Sequence, residues 1–314
     1  MQANLKLMYA HGKLLLTGEY FVLDGALALA VPTRLGQRLQ AKAAAAIPAD
    51  ELHWRSLTRA GEVWFSGRWL LQAGEPVLHS SSDDPTAQRL QELLRSIEQQ
   101  KPGALAQHLF GRQVDVQLEF PRDWGLGSSS TLVSLLAQQT QTDPYRLLAD
   151  SFGGSGYDIA CATAAGPIFY QRTPEELPVV SPANWLPPFH EQLFFAYQGH
   201  KQNSREGIRY YRELGGVQAG LLDEVSDLTR AFFAAQTLAE ASKVAAAHED
   251  FISTILQMER VQTERFADFP GVVKSLGAWG GDFALVFSPW PAAKTRAYFN
   301  EKGCPAVLNF SELV

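Results

Sequence analysis

Cysteine is almost absent from this sequence: Cys161 and Cys304 are the two thiols among 314 residues. Two thiols build neither a disulfide framework nor a multi-thiolate metal site, and such usage points to a reducing, cytoplasmic setting. Long apolar runs are missing too. No segment approaches the ~18–20 uninterrupted apolar residues of a membrane span, and Lys6, His11 and Lys13 interrupt any signal-peptide hydrophobic region. Charge is sparse, at 19% of residues, and basic charge is the scarcer sign, with 27 Lys+Arg against 33 Asp+Glu for a net of −6. The chain therefore lacks the basic footprint that nucleic acid or an anionic membrane requires, and neither is expected as a partner. A small anion held in one local site stays compatible with that balance. Neither His190-Glu191 nor His248-Glu249 is followed by the second histidine of a helical zinc site. No Gly-x-Ser-x-Gly elbow and no His-Arg-Asp loop is present, which argues against a hydrolase serine and a protein kinase. No repeat of 20–50 residues appears, and the one biased tract is the alanine-rich stretch 41–46.

What is present describes a folded, two-part chain. Hydrophobic residues make up 46% of the sequence, ample for a buried core. Leu5–Ala10, Lys13–Thr17, Tyr20–Leu23 and Ala26–Val31 read as short strands, with a hairpin turn at Asp24-Gly25 and a stop at Pro32. Val114, Val116, Leu118 and Phe120 alternate with polar residues, the signature of a half-buried strand. A Gly/Ser loop and a helix over 131–139 follow it. A second helix is expected from the Asp143-Pro144 cap to Gly153, and a third from Gly156 to Gly166. Ile168–Gln171 reads as a strand, and the proline-rich stretch Pro174–Pro188 as a domain boundary. Beyond it come a strand at 193–197, a mainly helical region over 205–262 and a glycine-rich turn at 277–281. A strand at 283–287, a helix over 291–302 and a last strand at 306–310 complete an α/β sandwich.

Four clusters carry chemistry. In Gly125-Leu126-Gly127-Ser128-Ser129-Ser130, small residues at a helix start let backbone amides approach phosphate oxygens, and the hydroxyls reach a metal ion. The spacing is neither a Walker A motif nor a dinucleotide fingerprint, and a Ser-rich helix cap would look the same. Gly153-Gly154-Ser155-Gly156-Tyr157-Asp158 leaves room for close approach, although Asp158 taken alone reads as an acid complementing the helix dipole. His11-Gly12-Lys13 with Gly18-Glu19-Tyr20 is the third cluster, and Gly277-Ala278-Trp279-Gly280-Gly281-Asp282 the fourth. Individually these read as an edge charge and a tight turn.

In this order the four clusters resemble the GHMP small-molecule kinases, the superfamily of galactokinase, homoserine kinase, mevalonate kinase and phosphomevalonate kinase. The segment Gly12 to Tyr20 with Leu23-Asp24-Gly25 looks most like the mevalonate and phosphomevalonate kinases. Gly156-Tyr157-Asp158-Ile159-Ala160 spells the signature of the GYDIA subfamily. The resemblance covers nearly the whole chain. It implies an α+β, two-domain fold: an ATP-binding domain over 1–180 like domain 2 of ribosomal protein S5, and a ferredoxin-like domain over 181–314.

It also implies roles. Gly125, Leu126, Gly127, Ser128, Ser129 and Ser130 would bind the phosphates of ATP, with Ser129, or Ser128, reaching Mg2+. Asp158 would handle the proton of the acceptor hydroxyl, and Lys13 would keep that carboxylate ionised. Glu19, Lys201, Ser204, Gly277 and Gly280 would contact the substrate. Three departures from the family pattern stand out: Trp279 replaces a small residue, the metal-ligand glutamate has no clear counterpart, and the stretch between Ser130 and Asp158 is short. Asp150 or Asp143 could substitute for that acid. The expected activity is phosphoryl transfer from ATP to a hydroxyl or phosphate of a small acid, with mevalonate or phosphomevalonate first, by a monomer or homodimer. The competing readings are homoserine or sugar phosphorylation and a non-catalytic metabolite-binding protein.

Overall fold

The structure, a computed structural model, describes residues 7–82, 84–173, 177–200, 202, 204–215, 219–279 and 281–314. The chain forms two compact units that interleave along the sequence. One comprises the described residues of Met1–Gly12 with Leu35–Arg122 and Leu126–Thr163; the other comprises Lys13–Arg34, Asp123–Gly125 and Ala164–Val314. We retain 1–180 and 181–314 as proposed domains, distinct from these units.

Strands β1 (Met8–Thr17) and β2 (Ala28–Ala43) pair with each other and contribute residues to both units. The first unit adds β3 (Glu51–Leu57), β4 (Val63–Gln72), β5 (Glu75–Ser81), α1 (Asp84–Gln100), α2 (Ala104–His108), β6 (Arg112–Leu118), α3 (Ser128–Thr140), α4 (Pro144–Ser151) and α5 (Tyr157–Thr163). Its strands run in the order β5-β4-β3-β6-β2, antiparallel except for the parallel pair β3 and β6. Strand β3 alternates in burial, so that Leu52 and Trp54 face inward with Trp69 of β4 and Leu93, Leu94 and Ile97 of α1. Val133 and Leu136 of α3, Leu147 of α4 and Ile159 of α5 complete this core.

In the second unit, β7 (Ile168–Gln171) pairs antiparallel with the start of β2 and with β8 (Val179–Pro182). Next come β9 (Leu193–Tyr197), α6 (Ser204–Glu213), α7 (Ala219–Ala234), α8 (Leu238–Leu256), α9 (Val261–Arg265), β10 (Val272–Ser275), β11 (Phe283–Phe287), α10 (Ala292–Glu301), β12 (Ala306–Asn309) and α11 (Phe310–Leu313). The four-stranded antiparallel sheet has the order β10-β11-β9-β12. That order, with helices between β9 and β10 and between β11 and β12, is a ferredoxin-like arrangement. Its two central strands, β9 and β11, are buried along their whole length, which explains their unbroken apolar runs.

Several expected elements differ. Gly12 does not divide two strands but lies within β1, and the expected start at Leu5-Lys6 lies outside the described residues. Phe21–Asp24 is a single 3-10 turn instead of a strand. Gly18 at φ 86° and Tyr20 at φ 62° bend the chain there, and the Val22 N–H closes on the Gly18 carbonyl at 2.9 Å. Strand β2 continues through Pro32. This proline falls between the residues that pair with β7 and those that pair with β6, so its missing N–H removes no bond to either. Within the stretch 174–188, β8 forms, and residues 174–176 lie outside the described set.

Candidate functional site

The Gly/Ser loop delivers helix α3 in the first unit. Gly127 is its N-cap in the left-handed region, φ 87°, and no side chain caps the helix. The Gly127 carbonyl accepts from the Thr131 N–H at 2.9 Å, from Ser130 Oγ at 2.9 Å and from Thr131 Oγ1 at 3.1 Å. The three serines therefore differ. The Ser130 hydroxyl is buried and turned back on the loop, Ser128 is half-buried, and Ser129 is exposed. Leu126 is fully buried, which leaves only its backbone to meet a ligand.

Helix α5 packs against α3 in the same unit and carries Asp158 in its first turn. The half-buried Asp158 accepts from the Ile159 N–H at 3.1 Å. The phenol of Tyr145 on α4 is pushed up to about 12, by burial first and then by the charge of Asp158. The structure thus brings the serine-bearing start of α3 and the Asp158 helix into one unit. Lys13 is half-buried on β1, in the part of that strand belonging to the second unit.

A cavity of 360 Å³ in the first unit is lined by Leu35, Arg38, Arg59, Gln117, Leu118 and Glu119. Gln37, between the lining residues Leu35 and Arg38, accepts the Thr131 hydroxyl from the first turn of α3 at 2.7 Å. Glu119 accepts from Tyr9 Oη at 2.9 Å and from the Gly36 N–H at 3.2 Å.

In the second unit Glu19 is fully buried and ion-paired to the equally buried Lys274 of β10. Glu19, expected at the substrate, is placed with its carboxylate as the interior counter-ion of a lysine. His248 Nε2 accepts from the Gly18 N–H at 3.0 Å, so its other ring nitrogen carries the proton. Burial, then the charge of Lys274, pushes the His248 imidazole well below its ordinary value and keeps it neutral. Beside it Glu249 accepts from the Ser275 N–H and, at 2.8 Å, from Ser275 Oγ. Its carboxyl is raised to about 7, chiefly by burial.

Of the expected substrate contacts, Ser204 opens α6 and is exposed, and Gly277 has φ 65° with open space where a Cβ would stand. Lys201 and Gly280 lie outside the described residues. Trp279 packs its indole into the cluster of Tyr20, Phe21, Tyr211 and Ile252 and is 1% exposed. Tyr20 Oη donates to the carbonyl of Ala278 at 2.7 Å.

No family model and no curated protein matches this sequence. Solved structures do match. The phosphomevalonate kinase of Streptococcus pneumoniae, in complex with phosphomevalonate and AMPPNP, superposes with a TM-score of 0.70 at 16% identity, over 97% of this chain and 99% of that one. The Methanococcus jannaschii mevalonate kinase gives 0.68 at 14% identity over 98% of both chains. Lactococcus lactis galactokinase in complex with galactose gives 0.63 at 11% identity, over 95% of this chain and 88% of that one. The fold is that of the GHMP kinases.

Among the described residues no group of three or more His, Cys, Asp or Glu could hold a metal ion. The exposed Ser129 hydroxyl fits an ion that keeps waters and takes most of its oxygens from phosphates. Among the described residues no helix is long and apolar enough to cross a membrane. Sequence reasoning missed Lys274, Arg38, Arg59 and Glu119, and met His248-Glu249 only as a failed zinc motif. A lysine inside the apolar strand Val272–Ser275 was the one available signal for the buried cluster.

Proposed function

We propose that this chain is an ATP-dependent small-molecule kinase that phosphorylates a hydroxyl or phosphate of a small acid, with mevalonate or phosphomevalonate as the first candidates. The observation that carries the reading is the uncapped, glycine-led start of α3, with Ser129 exposed, packed with the Asp158-bearing α5 in one unit. A helix start of this kind suits phosphate oxygens, because unpaired N–H groups and the helix dipole both favour negative charge.

In this reading the backbone of Gly125 to Ser130 receives the ATP phosphates, and the adjoining cavity beside Arg38 and Arg59 takes the nucleoside. Magnesium, held by Ser129 and the phosphates, would neutralise charge on the transferred group. The acceptor oxygen forms a bond to the γ-phosphorus while the bond to the β,γ-bridging oxygen breaks and ADP departs. Asp158 takes the proton of an acceptor hydroxyl, and Lys13 supplies positive charge in support of an ionised Asp158. Ser204, Lys201, Gly277 and Gly280 are the proposed substrate contacts, whereas Glu19 acts from the interior.

ADP release from Mg-ATP, followed across mevalonate, phosphomevalonate, homoserine and common sugars, tests the proposal. One mevalonate-series acid should turn over. With a hydroxyl acceptor, Asp158→Ala should lose about 10²–10⁴-fold in rate; with a phosphate acceptor, already ionised, the loss should be much smaller. Full activity of Asp158→Ala on a hydroxyl would remove Asp158 as the base. Absence of turnover across a wider panel, with nucleotide still bound, would favour a non-catalytic metabolite binder.

A further inference from the structure

Two of the glycine-rich stretches and the segment after β9 meet at one buried carboxylate that no motif explains. Asp282 is 7% exposed, immediately precedes β11 and has φ 55°. Its backbone is fastened to the turn after β9: the Gln198 N–H donates to the Asp282 carbonyl at 2.8 Å, and the Asp282 N–H donates to the His200 carbonyl at 2.9 Å. Its side chain continues the contact, accepting at Oδ1 from the Gln202 N–H at 3.1 Å. The same carboxylate lies against Gly125. A Cβ built on Gly125 would stand 2.2–2.4 Å from the carboxylate carbon and both oxygens, and Gly125 itself has φ 66°. Glycine is thus required there twice, for backbone conformation and for space. Neighbouring contacts hold the same segment to the sheet. Tyr197 Oη donates to the Asp123 carbonyl at 3.0 Å, and the Trp124 ring meets Phe283 edge-on at 5.4 Å.

We propose that Asp282 is a positioning residue whose one carboxylate fixes both Gly125, where the Gly/Ser loop begins, and the backbone of Gln202 beyond β9. Its effect on ligands rests on the reading that this loop holds nucleotide phosphates. A carboxylate suits the task by being short and flat, so that it seats on a glycine Cα while it accepts a backbone N–H. An apolar residue of the same size would leave the Gln202 N–H unpaired. Because the donor loop and the Gln202 backbone share one anchor, disturbing Asp282 changes nucleotide affinity without touching Asp158, the proposed base.

The test uses the full-length chain, with amide hydrogen exchange over 121–131 and 198–204 and titration with Mg-ADP as paired readouts. In Asp282→Ala the Gln202 amide and the Gly125 segment should exchange at least about tenfold faster, and Mg-ADP should bind about tenfold more weakly. Asp282→Asn keeps the shape and the Oδ1 acceptor and should stay within about threefold of the wild type in both readouts. Gly125→Ala provides the reciprocal test without altering Asp282. Its Cβ drives the carboxylate away and should speed exchange at Gln202, and adding Asp282→Gly should recover part of the loss in Mg-ADP affinity, a non-additivity expected of groups in contact. Unchanged exchange at Gln202 in Gly125→Ala, or an unchanged Mg-ADP affinity in a folded Asp282→Ala protein, overturns the proposal. If both segments respond as expected but the wild type fails to bind Mg-ADP, the nucleotide reading falls and the positioning role stands.

Discussion

Glu19, Lys274 and Glu249 place two carboxyl groups and one ammonium in an interior cluster from which water is excluded. Desolvation opposes every one of these charges, and one cation compensates only one anion well. Burial raises both carboxyls, and Glu249, eased by Lys274 and Ser275 and opposed by Glu19, is raised to about 7 from an ordinary 4.5. Between those two values the folded chain holds a proton that the unfolded chain has released. This group's stabilising contribution is thus complete below pH 4.5 and lost as pH rises through about 7. Glu249→Gln keeps an acceptor for Ser275 and abolishes the titration. Its melting temperature relative to wild type should rise more at pH 8 than at pH 5, and an equal difference at both would show that Glu249 does not titrate in this window. At this scale the glycines and serines of the Gly/Ser loop were visible in sequence as a run of small residues. The role of Lys274 was not, because a lysine's partner in the interior is chosen by chain segments 255 residues apart.

Elements were legible where local chemistry alone decides them. Asp143-Pro144 was read as a cap, and the Asp143 carboxylate accepts from the N–H groups of Tyr145 and Arg146, with Pro144 at the first helical position. The unbroken apolar runs at 193–197 and 283–287 are β9 and β11. Helix α8 has a full capping box, with Thr237 accepting from the Glu240 N–H and Glu240 reaching back to the N-cap. Thr237→Ala should cost about 1 kcal/mol of stability, measured by denaturant unfolding, whereas Thr237→Ser should cost little. A cost from serine equal to that from alanine would show that the hydroxyl does not cap. Elements decided by pairing were harder to read. Tyr20–Leu23 has strand-like residues, but the two left-handed residues around Glu19 commit it to a turn. Pro32 is an ordinary strand terminator, yet its position between two pairing segments lets β2 run on to Ala43.

At the scale of the molecule, two compact units share one chain that has the GHMP kinase fold over nearly its full length. A net charge of −6 describes the average surface, and a phosphate site at α3 would rest on backbone amides and local cations instead. If the folded chain binds nucleotide and the unfolded chain does not, Mg-AMPPNP at about 100 times its dissociation constant should add about 2.7 kcal/mol of stability. An unchanged melting midpoint at millimolar Mg-AMPPNP would contradict nucleotide binding by the native state. The sequence by itself determined the exclusions, the four motif clusters and their resemblance, and the elements with local caps or continuous apolar runs, because these depend on composition and near neighbours. Only the tertiary structure decided that Glu19 faces inward to Lys274, that Trp279 is buried, and that Asp282 seats on Gly125. Each of those outcomes depends on distant segments competing for one interior space, and no local pattern encodes which of them meet.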